Sequence, residues 1–114
     1  MAKSNNAMDR VFFALSDPTR REIIVRLARG SATVGELAKP FNITAPAITK
    51  HVRTLEQAGL IKREINGRTH ECLLAPKLLE KAEDWLSFQR TFWSMPPEQL
   101  ARYMKHARQR RKRR

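Results

Sequence analysis

A single cysteine, Cys72, stands among 114 residues, so no disulfide within the chain can brace the fold, and a reducing compartment is expected. That thiol and three scattered histidines are poor material for a soft-metal centre, which needs thiolates or imidazoles in number. No cofactor is expected on these grounds. Acidic residues are scarce, 11 against 23 Lys and Arg, for a formal charge of +12. Nowhere does an apolar run approach the roughly 20 residues that span a bilayer. The opening MAKSNNAMDR lacks the apolar stretch of a signal peptide. A soluble cytoplasmic protein with no membrane partner is expected. Catalytic sets are missing as well: there is no Ser-His-Asp group, carboxylate pair or phosphate-cradling glycine loop on a plausible common face. No enzyme is expected. Asp17 and Glu36 read as helix caps, and Glu56 as a solvated helix charge.

What is present is basic charge, unevenly placed. Eight of the Lys and Arg residues and no acid lie from Arg102 onward, leaving residues 1–101 with 15 basic and 11 acidic groups, a net +4. The final RQRRKRR therefore dominates the charge. It reads as a basic tail, residues 107–114, disordered in isolation and attracted to polyanions. Residues 1–106 read as one domain, with a modest core and too little chain for a deep catalytic cleft.

Along that domain, a first helix starts near Asn5 or Asn6 and places Met8, Val11, Phe12 and Leu15 at helical spacing. Ser16-Asp17-Pro18 ends it and caps a second, PTRREIIVRLA, whose Ile23, Ile24 and Leu27 face inward before Gly30 stops it. Thr33 with Glu36 forms a capping box for a short third helix that Pro40 ends around Ala38–Lys39. Thr44 caps a fourth helix with Pro46 in its first turn and Gly59 after its end. Two strands, Leu60–Ile65 and Arg68–Leu74, flank Asn66-Gly67, a strong hairpin signal. Pro76 opens a long helix, KLLEKAEDWLSFQRTFW; Met95-Pro96-Pro97 breaks it, and a short helix runs on to about Lys105. The fold class expected is mainly α with a small β-hairpin, in the order α-α-α-α-β-β-α, a winged helix-turn-helix.

The fourth helix divides cleanly. Ile48, Val52 and Leu55 cluster within about 60° of one another and must face the core. Pro46, Thr49, Lys50 and Arg53 cluster nearly opposite, with no acid among them. A major groove suits that mixture, since Arg and Lys donate to guanine and Thr can touch bases or a thymine methyl. Thr44 and the backbone NH groups of Ala45 and Ala47 lie at the helix N-terminus, where a phosphate is favoured. His51 sits beside the core stripe and reads as a packing residue. Around the hairpin tip, Arg63, Arg68 and Thr69 are the candidates for backbone or minor-groove contact. On the second strand Cys72 alternates with Leu74 and reads as a buried small hydrophobe, with His70 partly covered.

The pieces FFALSDPTRREII, TVGELAKPFNITAPAITKHVRTLEQAGLIKRE and the NGR tip resemble the ArsR/SmtB family of dimeric winged helix-turn-helix repressors, over about Met8 to Trp93. The stretch PKLLEKAEDWLSFQRTFW is similar to a non-metal subgroup often encoded beside a START-like protein. The segment Thr33–Ala38 lacks the Cys-x-Cys motif of metal-sensing members. The long C-terminal helix carries Glu80, Glu83 and Asp84 and no histidine follows until His106, so metal sensing is not implied.

The long C-terminal helix carries two adjoining apolar stripes, including Leu79, Trp85, Leu86, Phe92 and Trp93. One stripe can pack within the chain and the other against a second copy. The resemblance implies dimerisation through the first and last helices, which adds Met8, Val11 and Phe12. The aromatic patch reads as a dimer core rather than an effector pocket, and no effector is assigned. The expected function is a sequence-specific regulator of transcription, a repressor with its own promoter among the candidate targets. It would bind a pseudo-palindromic double-stranded operator as a homodimer, with reading helices about 34 Å apart. The alternative is a low-specificity nucleic-acid binder driven by the basic tail, with affinity falling steeply with salt.

Overall fold

In a computed structural model the described residues are 6–112. They form α1 (Ala7–Leu15), α2 (Pro18–Leu27), β1 (Ala32–Thr33), α3 (Val34–Ala38), α4 (Ala45–Gln57), β2 (Ile61–Asn66), β3 (Thr69–Leu74), α5 (Lys77–Trp93) and α6 (Pro97–Lys112). The alternative helix start at Asn5 and the tail residues 113 and 114 lie outside the described residues.

Side chains set the helix starts. Asn6 Oδ1 accepts from the Asp9 NH at 2.8 Å, and Asp17 Oδ2 from the Arg20 NH at 3.0 Å. Thr33 and Glu36 form the reciprocal box: the Thr33 NH donates to Glu36 Oε1 at 2.8 Å, and the Glu36 NH to Thr33 Oγ1 at 3.1 Å. Thr44 Oγ1 accepts from the Ala47 NH at 3.3 Å. Each bond satisfies an amide that the first helical turn leaves without a partner. The end of α4 is equally well defined. The Leu60 NH donates to the Leu55 carbonyl at 3.0 Å and the Gly59 NH to the Glu56 carbonyl at 2.9 Å, a Schellman arrangement with Gly59 at φ +77°.

The chain divides into two compact units, Met1–Ala82 and Glu83–Arg114. The boundary between them falls inside α5. In the first unit Val11 and Ala14 of α1, Ile23 and Leu27 of α2, Leu37 of α3 and Ile48, Val52 and Leu55 of α4 close on one another. Leu60, Ile61 and Cys72 complete that core from the sheet side, and Ala82 from α5, with Leu78 and Leu79 packed against it. Ile48, Val52 and Leu55 are each wholly buried, as their spacing requires. The second unit has its own aromatic contacts. Phe88 and Phe92 meet edge to face with centroids 5.0 Å apart, and Phe92 meets Tyr103 at 5.0 Å.

Three features differ from the sequence reading. The hairpin is part of a three-stranded antiparallel sheet, because β1 adds to β3 through Ala32 opposite Cys72 and Thr33 opposite Glu71, giving the order β1-β3-β2. The hairpin closes on the Asn66–Thr69 pair, so its two turn residues are Gly67 and Arg68. Gly67 has φ +63° and Arg68 is not left-handed, a glycine-first turn instead of an Asn-Gly one. Finally, α6 continues to Lys112, past Lys105 and into the segment read as disordered tail. Its residues after Met104 are strong helix formers with no proline or glycine to stop them. Among the described residues no helix is long and apolar enough to cross a membrane.

Candidate nucleic-acid interface

The outward side of α4 carries the groups read from the sequence. Thr44, Ala45, Pro46, Lys50 and Arg53 are exposed, while Ala47 and Thr49 are half-buried. Thr49 Oγ1 donates to the Ala45 carbonyl at 3.0 Å, so its hydroxyl proton is committed. The oxygen is left as an acceptor beside its methyl group. The helix is therefore two-sided, with a dry face of branched aliphatics and a wet face of cations and small residues.

The position of α4 is fixed from the side of α1 and α2 by Arg20. Its Nε donates to the Ala14 carbonyl at 2.7 Å and its Nη2 to the Phe13 carbonyl at 3.0 Å, while Nη1 lies 3.3 Å from His51 Nδ1. Arg21 Nη1 donates to the Leu15 carbonyl at 2.8 Å. These arginines hold carbonyls in the last turn of α1, of which that of Phe13 also accepts from the Ser16 amide and hydroxyl, and Arg20 reaches α4 at His51. His51 thus meets a guanidinium. Asp17 Oδ2 lies 4.0 Å from His51 Nδ1. The Arg20 amide holds the Asp17 carboxyl below its ordinary range, helped by the nearby His51 and Arg20 side chains.

The wing presents Arg68 and Thr69 to solvent. Arg63 is placed differently from expectation. Its Nη2 donates to Glu56 Oε1 of α4 at 2.7 Å, with side-chain exposures of 23% and 30%. Glu56 is therefore a paired group and not a solvated charge, and Arg63 ties the wing to α4. A cleft of about 490 Å³ opens between these elements, lined by Thr33, Val34 and Gly35 at the start of α3, Thr49 of α4, and Arg63, Arg68, Thr69 and His70 of the hairpin. His70 is exposed rather than partly covered, and Cys72 is buried as expected, its thiol pushed up by that burial. Sequence reading missed Thr33 as a lining group because its capping role already accounted for it.

The residues expected at a dimer surface fall into two sets. In the first unit, Val11 is 1% exposed and belongs to the unit's own core, because the helical stripe turns Val11 and Ala14 inward together. Met8 and Leu79 are half-buried against the same core, whereas Phe12 is exposed and Phe13 is 66% exposed. In the second unit Trp85 and Leu86 are exposed, Trp93 is 74% exposed, and Phe92 is half-buried between its two aromatic neighbours.

A family model described as a helix-turn-helix domain matches residues 15–64, from the end of α1 into the wing. The transcriptional repressor SdpR of Bacillus subtilis (strain 168) is 38% identical over 79 residues, covering 69% of this chain and 88% of that one. A crystal structure of an ArsR family transcriptional regulator is 40% identical, with a TM-score of 0.74 over 80% of this chain and all of that one. The chain belongs to the ArsR family. The fold is likewise that of a winged helix-turn-helix domain from Mycobacterium bovis, solved in solution as a homodimer, with 20% identity and a TM-score of 0.59 over 75% of this chain and 76% of that one. As an ArsR-family winged helix-turn-helix protein, the chain is a DNA-binding transcription regulator. In that setting α3 and α4 are the helix-turn-helix pair and β2–β3 the wing.

Proposed function

We propose that this chain is a repressor that binds a specific duplex operator as a homodimer. The observation that carries the reading is the two-sided α4: Ile48, Val52 and Leu55 are fully buried while Pro46, Lys50 and Arg53 are exposed with no acid between them. Lys50 and Arg53 then donate to base edges in the major groove, and Thr49 contributes its methyl and its acceptor oxygen. Thr44, Ala45 and Ala47 meet a phosphate at the helix start, and the wing contributes Arg63, Arg68 and Thr69. Repression follows from occupancy, since a chain this small blocks polymerase by sitting on its operator, and the similarity to a named repressor supports it.

Self-association is supported by the exposed apolar groups Phe12 and Phe13 of α1 and Trp85, Leu86 and Trp93 of α5. Large exposed apolar groups in such number mark an interaction surface. Two-fold pairing makes the operator an inverted repeat whose half-sites are about one helical turn apart. The basic residues of α6 favour a second reading, low-specificity binding to any duplex.

The test is a binding selection on randomised duplex DNA at about 150 mM salt, near physiological ionic strength. It uses the full chain and a form lacking residues 107–114. A shared inverted repeat recovered by both forms supports the operator-binding dimer. Tail-dependent recovery of unrelated sequences replaces it with the low-specificity reading.

A further inference from the structure

We infer that the cleft between the wing and the start of α3 seats one phosphate of the DNA backbone, and that Glu56 positions Arg63 for it. This rests on the DNA-binding reading above and names the chemical group that one part of the interface takes. The lining chemistry is one-sided. Arg63 and Arg68 bring guanidinium groups, Thr33 and Thr69 hydroxyls, and His70 an imidazole, while neither a carboxylate nor an amide side chain borders the space. Adenine is read by amide side chains and cytosine by carboxylates, so those edges find no partner here. An oxyanion finds its donors on the hairpin wall, from Arg63, Arg68 and Thr69. Thr33 Oγ1 accepts from the Glu36 amide and its hydroxyl is engaged with the Glu36 carboxylate, so the guanidinium groups of Arg63 and Arg68 are the charged donors of the seat. Gly35 contributes no side chain, and a β-carbon there would approach nothing nearer than Thr33 Oγ1 at 3.9 Å, so the wall at the start of α3 stays open.

Arg63 separates this from an ordinary basic surface. A wing arginine in solvent samples many rotamers, and ordering it on DNA costs entropy. Here the bond to Glu56 Oε1 at 2.7 Å holds the guanidinium at the cleft before DNA arrives. Glu56 does not meet the phosphate; it is a positioning residue acting through Arg63. Thr49 has its hydroxyl proton turned to the Ala45 carbonyl, so it borders the seat without donating to it.

The experiment uses the full chain and the duplex recovered by selection, with each backbone phosphate flanking the wing contact replaced in turn by a neutral methylphosphonate. A scrambled duplex is titrated beside it. At one position the replacement should weaken the wild-type protein about tenfold, and Arg63→Gln should add nothing further there while weakening binding at every other position. Arg63→Gln should also reduce the slope of log K against log salt by about one on both duplexes, because one phosphate contact is lost. Glu56→Gln should weaken binding to unmodified DNA about threefold or more, and this loss should vanish on the duplex carrying the critical methylphosphonate. A loss from misfolding would persist on that duplex.

Two results overturn the inference. One is strictly additive behaviour of Arg63→Gln at every methylphosphonate position with an unchanged salt slope. The other, which overturns the role of Glu56, is a uniform gain in affinity for Glu56→Gln, as expected if the carboxylate only repels DNA. A flat methylphosphonate profile on an operator that still depends on Lys50 removes the phosphate seat and leaves the proposed function standing. If selection yields no operator, the proposed function fails, and the salt slope on the scrambled duplex still decides whether Arg63 holds a phosphate.

Discussion

A β-carbon added to Gly59 would stand 2.7 Å from Leu78 Cδ1. The turn after α4 and the first turn of α5 are thus in direct contact, with room for a hydrogen and not for a methyl group. Gly59 also needs its left-handed backbone, at φ +77°. Gly59→Ala should destabilise the protein by about 1–2 kcal/mol, the usual cost of a left-handed non-glycine residue. Urea unfolding of wild type and variant checks this. An unchanged midpoint would mean that the turn relaxes freely and is not held by Leu78.

Lys50 and Arg53 carry the specificity in the proposed function. Lys50→Ala and Arg53→Ala should each weaken operator binding by about 1–3 kcal/mol, with far smaller effects on a scrambled duplex. Both side chains are exposed, so thermal stability should stay within about 0.5 kcal/mol of wild type. Titration against both duplexes reads the difference. Equal losses on both would reassign these residues to general electrostatic attraction.

Removing residues 107–114 should act in the opposite pattern. It deletes basic charge and leaves the residues of α4 and the wing unchanged, so affinity falls for every sequence alike and the salt slope flattens. Operator titrations from about 50 to 200 mM salt measure it.

Acid should erase the contribution of the cap at Asp17. Its carboxyl is held below the ordinary value of 3.8, chiefly by the Arg20 amide. For a lowered acid, the stabilisation is complete above the ordinary value and is lost as pH falls through the lowered one. Asp17→Ala should therefore cost about 1 kcal/mol at neutral pH. That gap from wild type should narrow once unfolding is followed below the ordinary carboxylate range. Glu36, lowered by the Thr33 amide, should lose its cap contribution in the same direction.

The helix-turn-helix was legible because its signals are local. Thr33-x-x-Glu36, Thr44 with Pro46, and Gly59 each act within a turn of where they stand, and the buried stripe Ile48–Val52–Leu55 follows from helical geometry alone. The strand β1 was not legible, since Ala32 and Thr33 make too short a run for any period and pair with residues some forty positions away. The turn register was displaced by one residue because Asn66-Gly67 satisfies the hairpin pattern whichever member pairs; only the Asn66–Thr69 pairing decides it. Arg63 was read by charge, yet its geometry depends on Glu56, seven residues earlier on another element. Val11 was placed at a dimer surface through the family resemblance, and its burial in the core depends on how α1 packs against α2 and α4, which its spacing with Met8 and Phe12 does not reveal.

The split character of α4 carries a consequence for how such a regulator can change. The side chains that hold the helix in place and those that would meet bases occupy opposite sides, and no residue serves both. Exchanging Pro46, Lys50 or Arg53 leaves Ile48, Val52 and Leu55 seated as before. Operator preference can then drift, or be redesigned, one position at a time, while the scaffold pays almost nothing in stability. A lineage built on this helix can divide into regulators of different genes without first inventing a new fold.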